Sequence, residues 1–189
     1  MGSQDGPLSR QWRPFIDHGT DHYRNNLYWG DLAKLSPNEY YNYICRSPMA
    51  EFVMKDLVKK AGLASQFHIE SAATSREEIG NPVYPPARRK LAEHGISCGG
   101  HAARQLTNRD YEEYDLLIGM DVANLRNMHR ICGGDFAGKL HLLMDYTKQS
   151  RDVADPWYTD DFEATWQDVL AGCQGLLREL TARRCGENG

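Results

Sequence analysis

The stretch ICRSPMAEFVMKDLVKKAG (residues 44–62) decides the fold. Ala50, Val53, Met54, Leu57, Val58 and Ala61 recur at three- and four-residue spacings, which marks a helix, and Gly62 is its natural stop. Ile44, Cys45, Arg46 and Ser47 form the loop that enters this helix. A loop in that place offers backbone N–H donors and the positive end of the helix dipole to an anion. Arg46 can grip two phosphate oxygens in a forked geometry, Ser47 can hydrogen-bond within the loop, and Pro48 suits the first helical turn. Taken alone, Arg-Ser-Pro before a helix is more often a plain cap than a phosphate site.

Downstream of the helix, strand and helix patterns alternate. QFHIESAA (66–73) reads as a strand with Phe67 and Ile69 alternating with polar residues. NPVYPPARRKLAEHG (81–95) is a helix entered through prolines and closed by Gly95. YDLLIGMD (114–121) is a near-continuous apolar run, as expected of a strand buried on both faces. VANLRNMHRICGG (122–134) is helical, KLHLLMDY (139–146) reads as a strand, and residues 160–184 form a long amphipathic helix capped by Asp160 or Asp161. Alternation of this kind predicts an α/β fold with a parallel sheet.

The chain has 189 residues, 41% of them hydrophobic and 25% charged, within the range of one globular domain. A net charge of −4 gives the whole chain no electrostatic reason to bind nucleic acid. No apolar run approaches the roughly 20 residues of a membrane span, and the first residues lack the apolar centre of a secretory signal. Cys45, Cys98, Cys132, Cys173 and Cys185 are odd in number and irregularly spaced, with no CxxC pair. They predict reduced thiols in a cytoplasmic protein, without a disulfide framework or structural zinc site.

A second acidic segment bears on the anion-binding loop. DVADPWYTDDF (152–162) sets Asp155 in a proline-stiffened loop, followed by Trp157 and Tyr158. A carboxylic acid beside a phosphate site can protonate a leaving alkoxide, and aromatic rings can wall a cleft for a phenyl group. The bland alternative is an acidic loop before a capped helix.

With ICRSPMAEF, SAATS, GNPVYPPA, HGI, HAARQLT, YDLLIGMD with NLR, and DPWYTDDFEATW in order, the chain from residue 44 to about 180 resembles the low-molecular-weight protein tyrosine phosphatases. The resemblance implies a three-layer α/β/α fold with a four-stranded parallel sheet. It further implies hydrolysis of phosphotyrosine esters through a phosphocysteine, without metal or cofactor. Carried over by position, Arg46 holds the phosphate, Ile44, Cys45 and Ser47 complete the cradle, and Asp155 is the general acid. Trp157 and Tyr158 line the cleft, His101 braces the loop, and Cys45 is a second loop thiol that protects the nucleophile from oxidation. A phosphotyrosine protein or small aryl phosphate is the implied partner.

The family loop reads C-x-G-N-x-C-R-S. Counted back from Arg46, its nucleophilic cysteine falls on Tyr40, its glycine on Asn42 and its asparagine on Tyr43. A phenol of pKa about 10 is a poor nucleophile at neutral pH. The segment where the first central strand belongs reads KLSPNE, and proline and charge suit a central strand badly. The first strand is therefore expected to be missing or replaced, and activity absent or severely impaired. Residues 1–43 form a separate, polar, aromatic-rich segment without a clean strand, partly helical or disordered. Ser36-Pro37-Asn38-Glu39 predicts a helix through residues 40–44. HYRNNLYWGDLAKLSPNEYYNYI (22–44) resembles the carboxyl-terminal tail of insertion-sequence transposases with an integrase-like core, without their catalytic acids. The implied organisation is this tail-like piece, a phosphatase-like domain over 44–182 and a short tail over 183–189. A non-catalytic phosphate or phosphotyrosine module, and a chimera produced by transposon insertion, stay open as alternatives.

Overall fold

The computed structural model describes residues 25–31, 45–74, 79–149, 151–156 and 160–187, with side chains excluded in 25–31 and beyond 182. Its strands are β1 (Asn25–Asp31), β2 (Phe67–Ala73), β3 (Leu116–Gly119) and β4 (Leu140–Leu142). The helices are α1 (Arg46–Lys60), α2 (Pro85–Glu93), α3 (Asn108–Glu113), α4 (Val122–Cys132) and α5 (Phe162–Glu187). All strand pairs are parallel, in the order β2–β1–β3–β4.

The middle of the sheet corrects the sequence reading of residues 1–44 as strandless. Asn25–Asp31 pairs along its whole length with β2, and Leu27–Gly30 pairs with Leu116–Gly119 of β3. Leu27, Tyr28 and Trp29 have the aromatic and apolar character that strands favour. The slot between β2 and β3 selects them over KLSPNE, which has the expected position but the wrong residues. The helix expected over 40–44 lies outside the described residues.

Alternation along β3 shows how the sheet separates two cores. Leu116 and Ile118 join Met49, Val53, Met54, Leu91, Val169, Cys173 and Leu176, contributed by α1, α2 and α5. Leu117 joins Leu106, Tyr114, Met128 and Leu140, next to α3 and α4. Successive side chains of a strand point to opposite faces, so a run apolar at every position is buried on both. KLHLLMDY is strand only over Leu140–Leu142; Leu143–Tyr146 turns into a 3-10 helix. Asp145 accepts from the Leu142 amide at 3.1 Å and Thr147 Oγ1 donates to the Met144 carbonyl at 2.7 Å, local bonds that compete with strand extension.

α5 crosses that 3-10 turn through Gly172 and Gly175, where a Cβ would overlap the Leu143 side chain and the Tyr146 carbonyl oxygen, respectively. Gly175→Ala must push the helix off the turn. We expect it to cost about 1–3 kcal/mol despite alanine's better helix propensity. Urea denaturation checks this; a stabilised variant would show that the approach is not close.

Candidate functional site

α1 begins at the carboxyl end of the sheet, where open parallel sheets place their ligand sites. Cys45 is its N-cap, buried, with φ −113° and ψ −57° and no side-chain cap bond. Arg46 and Ser47 follow as the first helical residues, so the loop reading of CRS is corrected: only Cys45 precedes the helix.

Arg46 is buried and turned along the ends of the neighbouring elements. Its Nη2 donates to Asp121 Oδ2 at 2.8 Å and its Nη1 to the Val153 carbonyl at 3.3 Å. Asp155 Oδ2 stands 3.8 Å from the same Nη2. The fold thus brings together Arg46 and Asp155, the arginine and acid singled out in the sequence. Asp121 was not singled out. It ends the apolar run of β3 and caps α4, accepting from the Asn124 amide at 2.7 Å. A carboxylate at the carboxyl end of a buried strand is the signal that could have found it.

Beneath the helix start lies a second polar group. Glu51 is buried and accepts from the Ser71 amide at 3.0 Å and the Ser71 hydroxyl at 2.5 Å, and it pairs with Lys55. His101 Nε2 is 3.0 Å from Ser71 Oγ and 3.5 Å from Glu51 Oε2, and its ring packs edge-on to Phe52. Among the described residues, Ser47 Oγ and His101 Nδ1 are buried without a hydrogen-bond partner. Burial raises the pKa of Glu51, but hydrogen bonds from His101, Lys55 and Ser71 outweigh it and lower it to about 2.

A carboxyl depressed from 4.5 to about 2 contributes stability that is full above its unfolded value. That stability is lost as pH falls through the window from 4.5 to 2, and amounts to about 3 kcal/mol. We expect the urea midpoint to fall steeply between pH 5 and pH 3, and Glu51→Gln to flatten that fall. An unchanged slope in the variant would remove Glu51 from the account.

Tyr40, Ile44, Trp157 and Tyr158 lie outside the described residues. Between β1 and Cys45 the sequence over residues 32–44 contains no cysteine. Among the described residues, no three His, Cys, Asp or Glu side chains converge as metal ligands, and no helix is long and apolar enough to cross a membrane. Chemically, a guanidinium at a helix start can hold a tetrahedral oxyanion, and a carboxylic acid beside it can give a proton to a leaving oxygen.

Comparison with known proteins gives a consistent set of relatives. The family model described as low molecular weight phosphotyrosine protein phosphatase matches residues 41–185. The chain is 37% identical over 139 residues to the low molecular weight protein-tyrosine-phosphatase YfkJ of Bacillus subtilis, covering 72% of this chain and 89% of that protein. It is 36% identical over 141 residues to the low molecular weight phosphotyrosine protein phosphatase of Homo sapiens, with the same coverages. The crystal structure of YfkJ superposes with a TM-score of 0.77 at 31% identity, over 88% of this chain and 99% of that one. The phosphatase SP-PTP of Streptococcus pyogenes gives 0.69 at 35% identity, over 82% and 93%.

Proposed function

The chain belongs to the low molecular weight phosphotyrosine protein phosphatase family, and we propose that within it this protein holds phosphate monoesters, phosphotyrosine above all, without phosphocysteine turnover. One observation carries the reading. Arg46 and Asp155 sit 3.8 Å apart at the head of α1, while the position of the attacking thiol is Tyr40 and residues 32–44 contain no cysteine. Arg46 is the phosphate ligand, beside Cys45 and Ser47, and Asp155 is the retained acid; the resemblance assigns Ile44 to the cradle and Trp157 and Tyr158 to the cleft. His101, fixed through Ser71 and Glu51, braces the cradle from below. The pairing of the strands and the two cores support a three-layer α/β/α unit around a four-stranded sheet.

β1 comes from within the segment resembling a transposase tail, which supports a chimeric origin in which foreign sequence took over the central strand. The buried, scattered cysteines Cys98, Cys132 and Cys173 suit a reducing, cytoplasmic setting.

Calorimetric titration with inorganic phosphate and with vanadate tests the proposal. We expect binding in the millimolar range or tighter that disappears in Arg46→Ala while the variant stays folded. No heat from the unmodified chain would overturn it.

A further inference from the structure

The segment carrying Asp155 is fastened to α5 by side chains that the site as described does not use. Arg151 meets Asp168 with a two-pronged bond, Nη1 to Oδ2 at 2.6 Å and Nη2 to Oδ1 at 2.5 Å. The same Asp168 Oδ2 accepts from the Ala154 amide at 2.9 Å. Thr165, one helical turn earlier and fully buried, donates its hydroxyl to the Ala154 carbonyl at 2.9 Å. Both backbone polar groups of the residue immediately before Asp155 are therefore held by side chains of one helix. On the other side, the Val153 amide donates to the Met120 carbonyl at 2.9 Å and the Val153 carbonyl accepts from Arg46 at 3.3 Å.

We infer that Asp168, with Thr165 and Arg151, is a positioning group that sets how closely the Asp155 carboxylate approaches Arg46. The inference rests on the reading of Arg46 as the ligand of the phosphoryl anion. Asp168 is buried whereas Arg151 is half-exposed, so the clamp is anchored on the helix and closed from the solvent side. Its consequence is electrostatic. Asp121 at 2.8 Å already balances the guanidinium. An ionised Asp155 held at 3.8 Å adds a second negative charge, which opposes an incoming phosphate. Releasing the clamp lets that charge move away, so anion affinity rises while the fold weakens. A clamp that only supported the fold would lower both.

The test uses the full chain, with phosphate titrated by calorimetry at pH 7 into the unmodified protein, Asp168→Ala, Asp168→Asn and Arg151→Ala. Asp168→Ala is expected to bind phosphate about fivefold more tightly, the size of one partly exposed charge interaction, and to melt at a lower temperature. Arg151→Ala should move the same way by less, and Asp168→Asn, which keeps an acceptor for the Ala154 amide, should move least. The gain should vanish when Asp155→Asn is already present. Weaker binding in Asp168→Ala and Arg151→Ala alike, or a gain that persists with Asp155→Asn, overturns the inference.

Silence of the unmodified chain toward phosphate would sink the anion-binding reading. The clamp is then judged on the Asp155 carboxyl carbon resonance, which should move on Arg46→Lys in the unmodified background and stay still with Asp168→Ala. Equal movement in both backgrounds overturns it.

Discussion

Incubated with para-nitrophenyl phosphate, the purified chain is expected to release nitrophenol at least about 10⁴-fold more slowly than the Bacillus subtilis phosphatase YfkJ assayed beside it, the scale of loss when a catalytic nucleophile is removed. Displacement at phosphorus by a side chain needs an ionised nucleophile opposite the leaving oxygen. Tyr40 offers a phenol that is almost fully protonated at neutral pH. Cys45 is buried and is the residue directly before Arg46, at the N-cap of α1. No other cysteine lies between Asp31, the end of β1, and the helix. Tyr40→Cys alone should also stay silent. The resemblance implies a strand that runs straight into the loop, whereas here residue 40 follows Asp31, the last residue of β1, by nine positions, and Asn42 and Tyr43 still replace the glycine and asparagine of the family loop. Quenched reactions analysed by mass spectrometry provide the check. A phosphorylated side chain on the purified protein, or rapid hydrolysis lost in Asp155→Ala, would defeat the proposal.

The sequence disclosed its helices more readily than the centre of its sheet. α1, α2, α4 and α5 follow from their sequence patterns and from stops such as Gly95, which adopts φ 73° after α2. β3 is legible because LLIG, apolar at every position and short, suits a strand covered on both sides. β1 is not legible from its own residues. Asn25, Asn26, Gly30 and Asp31 are weak strand formers, and only the two neighbouring strands, supplied by residues 67–73 and 116–119, make a strand of them. Arg46 and Asp155 could be picked out because the resemblance made their local sequences specific, and the fold sets the two side chains 3.8 Å apart. Asp121, Glu51 and Ser71 could not, since each looks like an ordinary cap or surface residue until the fold buries it against a charge or a histidine. Burial is a property of the assembled layers, and a motif does not carry it.

Asp121→Ala should destabilise the protein by about 3–5 kcal/mol, the usual cost of leaving one member of a buried ion pair without its partner. The side chains of Arg46 and Asp121 are only 4% and 9% exposed and meet at 2.8 Å. Asp155 is farther away and 26% exposed, so it compensates the stranded guanidinium only in part. The substitution also removes the cap of α4, where Asp121 Oδ1 accepts from the Asn124 amide. In a chain of this size the loss lowers the melting temperature by roughly 10 °C. Asp121→Asn separates the two contributions, because its single carboxamide oxygen can still cap the helix in place of Oδ1 while the amide nitrogen that replaces Oδ2 cannot accept from Arg46. It should therefore fall between the unmodified chain and Asp121→Ala. The decisive comparison is Asp121→Ala combined with Arg46→Met. An apolar side chain in place of the buried cation removes the uncompensated charge, so the double variant should recover much of the loss. Urea denaturation of the unmodified chain, Asp121→Ala, Arg46→Met and the double variant measures the coupling directly, with Asp121→Asn run beside them. If the double variant is less stable than Asp121→Ala alone, burial of an unpaired charge is not the cost, and Asp121 matters only as the cap of α4.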